Sequence, residues 1–406
     1  MKSIRKISIL WALLLCTLPV LAQESPASAF AGSDAVDKDK CAVLIIDLKT
    51  KKVIDSHNAD TPLVPASVNK VVTIASLLKE SGKDYRYRTD VYLGGKVKDG
   101  TLQGNLIVKG GGDPSLGTSQ GPEGSDFIAS VVSALKKREV VGIQGDIIVD
   151  GSVFPGPATP PTWAAGDLSQ AYGAGCYGLN WQRNSSGDRA VADPIGRFRG
   201  QLLSALGKAG ISVKGDSVES RRQGKPIVSF YSKPVEDIMR YCMKQSDNLY
   251  AEAFLRTYGL LKEDEGTTDA GAKAELKYWS HKGSPVKNVE IKDGSGLSRS
   301  NRITARFLGD VLVRMAKDPY FVSFFPMCGV EGTVRNFLKG TSLEDYMALK
   351  TGSMRGIQCY AGYKVDENYA PTHAVVVLIN SFPKDRQCAR EAVKTMLINT
   401  FINNML

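Results

Sequence analysis

The chain has 406 residues, of which 43% are hydrophobic and 23% charged, and these values are those of a globular protein with more than one domain. Its formal charge of +10 and its pI near 9.1 favour binding to an anionic polymer or surface, such as an acidic cell envelope. The sequence has no Lys/Arg-dense helix, so we do not expect a nucleic-acid partner.

The N-terminal residues have the pattern of a secretory signal peptide. Lys2, Arg5 and Lys6 precede an apolar run over residues 7–22, which ends on Ala22 at a cleavage site of small residues. That run is shorter than the roughly 20 residues that a spanning helix needs, and no later segment is long and apolar enough to span a membrane. We therefore expect residues 1–22 to be a signal peptide and the remainder to be exported to the periplasm or cell envelope without a membrane span.

The cysteines and histidines do not predict a metal site, and we expect no cofactor. Apart from Cys16, the cysteines show no Cys-x-x-Cys spacing typical of zinc or redox sites. In an oxidising compartment they either pair or remain as buried thiols, and the sequence leaves both alternatives open. None of the histidines (His57, His281 and His373) lies in a context typical of a catalytic base, so a lysine is the better candidate.

The first predicted elements are a β-hairpin at residues 42–55 and a helix that contains the apolar run 71–78. Ser67-x-x-Lys70 stands at the start of this helix, where positions i and i+3 share one face. There a lysine amine of lowered pKa can take the proton of the serine hydroxyl and make it a nucleophile. On its own the pattern is more often a helix start with a solvated lysine, so its interpretation depends on further motifs.

The pattern of residue types changes at residue 85, and residues 85–225 predict a separate β-rich region. It contains an alternating strand at 85–92, a helix at 127–138 and an irregular aromatic and glycine-rich segment at 160–174. The glycine triplet 110–112 predicts a turn, because the Gly-Lys-Ser/Thr of a phosphate-binding loop does not follow it.

From residue 226 the pattern again predicts compact alternation of helices and strands. In chain order we expect helices at 235–243 and from 246, a loop at 293–299, a helix at 304–315, strands from 348 and at 374–379, and a core helix at 388–406.

Three motifs occur in a fixed order: Ser67-x-x-Lys70, Ser246-Asp247-Asn248 and Lys350-Thr351-Gly352. Further matches accompany them, at residues 110–114, 145–150, 163–174, 293–299 and 332–333. With these, the chain resembles the class C low-molecular-mass penicillin-binding proteins, the D-alanyl-D-alanine carboxypeptidase/endopeptidase family (penicillin-binding protein 4 type). The resemblance covers nearly the whole mature chain.

The resemblance implies an α/β (α+β) fold, in which a serine β-lactamase/transpeptidase-like domain is interrupted by an inserted β-rich domain. We expect the catalytic domain to comprise residues 23–84 and 226–406, and the inserted domain to comprise residues 85–225. This division agrees with the change in the pattern of residue types at residue 85.

The resemblance also implies a catalytic role for five side chains. Ser67 would be the nucleophile that forms an acyl-enzyme, and Lys70 would be the base that takes its proton. Ser246 would relay a proton to the leaving amine, while Asn248 would orient Lys70. Either burial or the positive charge of Lys350 would lower the pKa of Lys70 and keep its amine neutral.

The other candidates would bind the substrate. Thr351, Gly352 and Ser353 would bind its terminal carboxylate and pair with it as an added strand, and the backbone N–H groups of Ser67 and Ser353 would form the oxyanion hole. The pocket for the third residue of the peptide would be lined by Trp163, Asp167, Tyr172 and Met354. Gly166 stands where relatives commonly carry a second acidic residue, which weakens the case for recognition of a diaminopimelate amine.

The expected partners are peptidoglycan stem peptides as substrates and β-lactam antibiotics as inhibitors that acylate Ser67. Two alternatives are a β-lactamase and a peptidoglycan-binding or β-lactam-sensing module without turnover. The long insertion and the absence of a deacylating glutamate loop argue against the first, and the intact motif side chains argue against the second. The sequence does not distinguish carboxypeptidase from endopeptidase activity, and it does not give the oligomeric state.

Overall fold

The computed structural model describes residues 24–121, 127–219 and 222–403. The predicted signal peptide, residues 1–22, lies outside the described residues. The strands are β1 (Cys41–Asp47), β2 (Val53–His57), β3 (Arg88–Leu93), β4 (Val97–Lys98), β5 (Thr101–Leu102), β6 (Leu106–Lys109), β7 (Gly142–Ile143), β8 (Ile147–Asp150), β9 (Ser185–Ser186), β10 (Arg189–Ala190), β11 (Ser212–Val213), β12 (Gln223–Tyr231), β13 (Met347–Met354), β14 (Ile357–Val365) and β15 (Pro371–Ile379). The helices are α1 (Pro26–Ala31), α2 (Lys70–Ser81), α3 (Phe127–Lys136), α4 (Pro194–Lys208), α5 (Val235–Gln245), α6 (Asn248–Glu263), α7 (Thr268–His281), α8 (Ala305–Met315), α9 (Pro319–Ser323) and α10 (Arg386–Phe401).

A five-stranded antiparallel sheet with the order β13-β14-β15-β1-β2 lies at the centre of the parts of the chain that precede residue 85 and follow residue 231. Strand β1 is apolar almost throughout because helices cover both faces of the sheet. Ala42 and Leu44 point into the core that contains α2 and α8, whereas Val43 and Ile45 point into the core that contains α1 and α10. This alternation follows from the two-residue period of a strand.

Helix α2 lies inside the helical layer on one face of this sheet. All of its residues from Lys70 to Leu78 are buried, and it contacts α5, α6, α7 and α8. A helix that is apolar on every side is stable only when it is surrounded by protein, which explains the unbroken run 71–78. This burial extends to Lys70 at its first turn.

The region between α2 and α5 has its own sheets and its own core. Two four-stranded sheets, β12-β3-β6-β8 and β11-β7-β5-β4, pack with α3 and α4 around a cluster that includes Val91, Val131 and Phe198. We propose that this region is an inserted domain, and that it extends to Tyr231 rather than to residue 225, because β12 pairs with β3 as far as Tyr231.

The mixture of helices and sheets confirms the predicted α/β (α+β) class. In the described parts of the chain, no helix has the length and apolar character needed to cross a membrane.

Candidate active site

Ser67 lies in a 3-10 turn, Ala66–Asn69, that leads directly into α2. Positions i and i+3 eclipse in a 3-10 turn, so the turn brings Lys70 under Ser67. The Lys70 Nζ donates to Ser67 Oγ over 2.9 Å. Ser67 itself is half-buried, whereas Lys70 is 0% exposed. The hydroxyl is therefore accessible while the amine that would activate it is shielded from water.

Lys70 donates to two further acceptors, which come from different parts of the chain. Asn248 Oδ1 lies 2.7 Å from Lys70 Nζ, and the backbone carbonyl oxygen of Ser295 also lies 2.7 Å away. Burial lowers the pKa of Lys70, while nearby groups, among them Asp293 and Glu252, oppose this effect. The amine is held in one orientation and is pushed towards the neutral form that a base requires.

The Ser246-Asp247-Asn248 motif is the junction between two helices. Helix α5 ends at Gln245, and Ser246 takes a left-handed conformation with φ 60° before α6 begins. The Asp247 side chain caps α6 by accepting from the N–H of Tyr250. Asn248 thus lies in the first turn of α6, and its Nδ2 donates to the carbonyl oxygen of Tyr172 over 2.8 Å.

Lys350 is buried on β13 and contacts the second motif. Its Nζ donates to Ser246 Oγ over 2.8 Å and to the carbonyl oxygen of Thr351 over 2.6 Å. Burial is the main cause that lowers the pKa of Lys350, and the positive charge of Lys70 lowers it further. Burial is thus the first cause of the lowered pKa of both lysines, and the repulsion between their charges opposes protonation of the two amines together.

Strand β13 is the outermost strand of the central sheet and runs beside the Ser67 turn. At Gly352 the approach is so close that a Cβ atom would lie 2.7 Å from the Pro65 carbonyl oxygen and 3.0 Å from the Ser67 nitrogen. Ser353 is exposed, and Thr351 shares a hydrogen bond of 2.7 Å with the hydroxyl of Thr333. The strand thus presents the hydroxyl groups of Thr351 and Ser353 beside the Ser67 turn.

These elements border a cleft of about 640 Å³. Its lining includes Ser67, Ser246, Asn248, Ser353, Met354, Asp167, Tyr172, Arg299 and Arg355. The hydroxyl of Tyr172 donates to Asp167 Oδ1 over 3.0 Å. Of the four side chains expected in the pocket for the third peptide residue, Asp167, Tyr172 and Met354 therefore lie at the cleft.

Trp163, the fourth of these side chains, has a different position. It is only 6% exposed and is not part of the cleft lining. Its indole Nε1 donates to Asp293 Oδ2 over 2.7 Å, because a buried indole N–H needs an acceptor. Trp163 thus attaches the inserted region to the loop that follows Asp293.

The loop 293–299 is the main part of the site to which sequence reasoning gave no role. Asp293 organises it by accepting from the N–H groups of Gly296 and Ser298, at 2.8 and 2.6 Å. The loop thereby presents the Ser295 carbonyl to Lys70. A backbone acceptor carries no residue-type signal, and only the run of small polar residues in this segment indicated a defined turn.

The described residues contain no group of three or more His, Cys, Asp or Glu side chains that could hold a metal ion. The chemistry that the site offers is a serine nucleophile beside a buried lysine, at the edge of a sheet, in a cleft large enough for a peptide.

The chain matches the model of the D-Ala-D-Ala carboxypeptidase 3 (S13) family over residues 23–186 and 182–399. It is 24% identical over 392 residues to the D-alanyl-D-alanine carboxypeptidase DacB of Haemophilus influenzae, covering 78% of this chain and 80% of that protein. It is 27% identical over 367 residues to the carboxypeptidase DacB of Mycolicibacterium smegmatis, covering 84% of this chain and 77% of that protein. The crystal structure of penicillin-binding protein 4 (dacB) from Haemophilus influenzae superposes with a TM-score of 0.76 at 23% identity, covering 90% of this chain and 96% of that one.

Proposed function

Because the chain belongs to the D-Ala-D-Ala carboxypeptidase 3 (S13) family, we propose that it is a serine D-alanyl-D-alanine carboxypeptidase or endopeptidase that acts on peptidoglycan stem peptides. The observation that carries this proposal is the 2.9 Å contact between Lys70 Nζ and Ser67 Oγ, at the base of an open cleft. β-Lactam antibiotics, which are acylating amides, would react at the same serine.

In the proposed acylation, Lys70 takes the Ser67 proton as Ser67 Oγ forms a bond to the carbonyl carbon of the penultimate D-alanine. The bond from that carbon to the leaving nitrogen then breaks, and the amine needs a proton. Ser246 would relay to it the proton that Lys70 took from Ser67, so that Lys70 is neutral again once the acyl-enzyme has formed; the Ser246 hydroxyl is held by Lys350 Nζ, which donates to it over 2.8 Å. Water hydrolyses the acyl-enzyme in the second half of the reaction and returns a proton to Ser67.

The position of β13 supports the proposed binding of the substrate. The N–H groups of Ser67 and Ser353 would bind the oxyanion, and the close approach of Gly352, the residue before Ser353, to the Ser67 nitrogen supports this pairing. Thr351 and Ser353 would bind the terminal carboxylate with their hydroxyls, and Lys350 in its protonated form would add positive charge from behind.

We propose that the side chain of the third peptide residue lies against Asp167, Tyr172 and Met354, which border the same cleft. We also propose that the protein acts in the periplasm or cell envelope, where the peptidoglycan substrate is found. The apolar pattern of residues 7–22 and the net charge of +10 support this location.

The test is release of D-alanine from a stem pentapeptide, compared between the wild type and Ser67→Ala. We expect release by the wild type and none above background by the variant, whereas equal release would contradict the proposal. A cross-linked muropeptide without a terminal D-alanine separates endopeptidase from carboxypeptidase activity, because only an endopeptidase converts it to monomers, which chromatography measures. Rapid turnover of penicillin would instead indicate a β-lactamase, and binding without cleavage would indicate a sensing module.

A further inference from the structure

Helix α6 carries a second buried polar group next to the site, one turn beyond Asn248. Glu252 follows Asn248 at i+4, so both side chains lie on the same face of the helix. Glu252 is 1% exposed. A buried carboxyl group costs free energy unless other groups compensate it, and the catalytic scheme proposed above does not use this one.

Glu252 contacts the same residue that contacts the base. Its Oε1 accepts from the N–H of Ser295 over 2.8 Å, while the carbonyl oxygen of Ser295 accepts from Lys70 Nζ over 2.7 Å. The two ends of Ser295 are thus held by Glu252 and by Lys70. A shift of the N–H end would turn the carbonyl away from Lys70 Nζ.

Other contacts hold the loop on both sides of this one, and on the near side Thr73 Oγ1 of α2 donates to the Gly294 carbonyl oxygen over 3.1 Å. Asp293 holds the N–H groups of Gly296 and Ser298, which lie on the far side of Ser295. Gly296 has a φ of +82°, and a Cβ atom there would lie 1.9 Å from the Ala66 carbonyl oxygen. The loop is therefore fixed against the Ser67 turn at Gly296 and fixed to α6 through Glu252.

The charge of Glu252 also acts on Lys70. Burial and the charge of Asp293 raise the pKa of Glu252 to about 7, against the opposing donors of Ser295 and Gly294. In its ionised form, Glu252 raises the pKa of Lys70. The titratable or charged groups that interact with Glu252 come from several elements: Lys70 on α2, Cys242 on α5, Glu275 on α7, Asp293 in the loop, and Cys176 in the inserted region.

We propose that Glu252 is a positioning residue for Lys70: it holds the Ser295 carbonyl against the Lys70 amine and adjusts the charge that this amine experiences. The inference rests on the proposed function, in which Lys70 is the acylation base. Helix α6 would then position Lys70 in two ways: Asn248 contacts the Lys70 amine directly, and Glu252 acts on it through Ser295.

The test is the rate of acylation by a fluorescent penicillin as a function of pH, in the wild type, Glu252→Gln and Glu275→Gln. The glutamine keeps an acceptor for the Ser295 N–H but removes the negative charge that favours the Lys70 ammonium form. We therefore expect the acid limb of the Glu252→Gln profile to move to lower pH. Glu275 is also buried behind α2, but it interacts with Glu252 rather than with Ser295, so Glu275→Gln should move the midpoint less than Glu252→Gln does.

A second variant, Glu252→Ala, removes the acceptor as well, and we expect its acylation rate per folded molecule to fall about tenfold or more. Folded molecules are counted by the labelling reached at saturation. An unshifted midpoint in Glu252→Gln, or an equal shift in Glu275→Gln, would overturn the inference while leaving the proposed function intact. A wild type that penicillin does not acylate would overturn the proposed function and this inference with it.

Discussion

At the scale of single residues, the state of Lys70 decides whether the site can react. An exposed lysine has a pKa of about 10.4 and is protonated at neutral pH, and each unit of lowering corresponds to about 1.4 kcal/mol. Lys70 is buried completely, and burial lowers its pKa. The protonated amine cannot accept the Ser67 proton, so acylation should slow as the pH falls through the pKa of Lys70.

A substitution of Asn248 tests whether this residue orients Lys70. Asn248→Ala removes the Oδ1 acceptor from Lys70 and the donor from the Tyr172 carbonyl. A hydrogen bond to a charged group contributes about 1.5–3 kcal/mol, so we expect acylation to slow about tenfold to hundredfold. The rate is measured with a fluorescent penicillin, with the exposed Asn368→Ala as the control. A wild-type rate in Asn248→Ala would contradict the assigned contact.

The buried Glu275 should make the free energy of unfolding depend on pH. It is 0% exposed, and burial raises its pKa from 4.5 to about 8. The folded state therefore binds a proton that the unfolded state releases, and the free energy of unfolding should fall as the pH rises from 4.5 to about 8. Glu275→Gln, which stays neutral, should weaken this decline by a few kcal/mol, at about 1.4 kcal/mol per pKa unit.

The measurement is urea unfolding at several pH values, with the exposed Glu367→Gln as the matched control. The control should keep the wild-type dependence on pH. A Glu275→Gln profile parallel to that of the wild type would show that Glu275 does not titrate in this range.

The sequence predicted the residues that meet at the candidate site through their side chains, but not those that contribute through the backbone. Ser67, Lys70 and Asn248 were identified by their spacing, and hydrogen bonds join them in the structure. Ser295 contributes a carbonyl oxygen, which any residue type could provide. Glu252 follows a motif on a buried helix, where its spacing alone does not distinguish a functional carboxyl from a structural one.

At the scale of elements, the Ser67 turn is held between β13 and the loop 293–299. Gly352 on β13 and Gly296 in the loop each approach the backbone of this turn more closely than a side chain would permit. Ala66, directly before the nucleophile, has a φ of 47°, which is uncommon for a residue other than glycine. The turn is thus strained locally and is stabilised by the elements packed on both sides.

Gly352→Ala tests this packing. The added Cβ would lie 3.0 Å from the Ser67 nitrogen, so β13 and the turn must separate by a few tenths of an ångström. We expect acylation to slow about tenfold or more, because a displaced oxyanion-hole donor costs transition-state stabilisation. The rate with a fluorescent penicillin measures this.

Gly207→Ala on α4 is the matched control, since no atom lies within 4 Å of the added Cβ. It should acylate at the wild-type rate. Equal rates in Gly352→Ala and Gly207→Ala would contradict the close approach of β13 to the nucleophile.

The elements that the sequence predicted well are those with a strong hydrophobic pattern. Helix α2 was expected from its apolar run, and the hairpin of β1 and β2 from its β-branched residues. Strand β12 was not expected, because Gly224 and Pro226 interrupt its pattern, and its pairing with β3 shifts register between residues 223 and 228. The 3-10 form of the Ser67 turn was not expected either, since it depends on contacts with β13.

At the scale of the whole molecule, the parts of the chain around the five-stranded sheet are held together by cores on both of its faces, and the inserted region adds a core of its own. The sequence left the pairing of the cysteines open. In the structure Cys41, Cys176, Cys242, Cys328, Cys359 and Cys388 are all free, and all but Cys388 are buried. Hydrophobic burial rather than cross-linking therefore stabilises the described parts of the chain.

The melting temperature with and without reductant tests this account. We expect the same value in both conditions, because no described cysteine is paired. A native disulfide contributes about 2–5 kcal/mol to a small secreted domain, so its reduction would lower the melting temperature by several degrees. Such a drop would show that at least one pair forms in the exported protein.

The central claim is that Ser67 is the nucleophile, and the position of a covalent penicillin adduct tests it most directly. The protein is incubated with penicillin, digested with trypsin and fragmented in a mass spectrometer. The tryptic peptide 53–70 contains both Ser56 and Ser67, so the fragment ions distinguish the two. We expect one adduct per molecule, located on Ser67 and absent from Ser67→Ala. An adduct on another residue, or none in the wild type, would contradict the account.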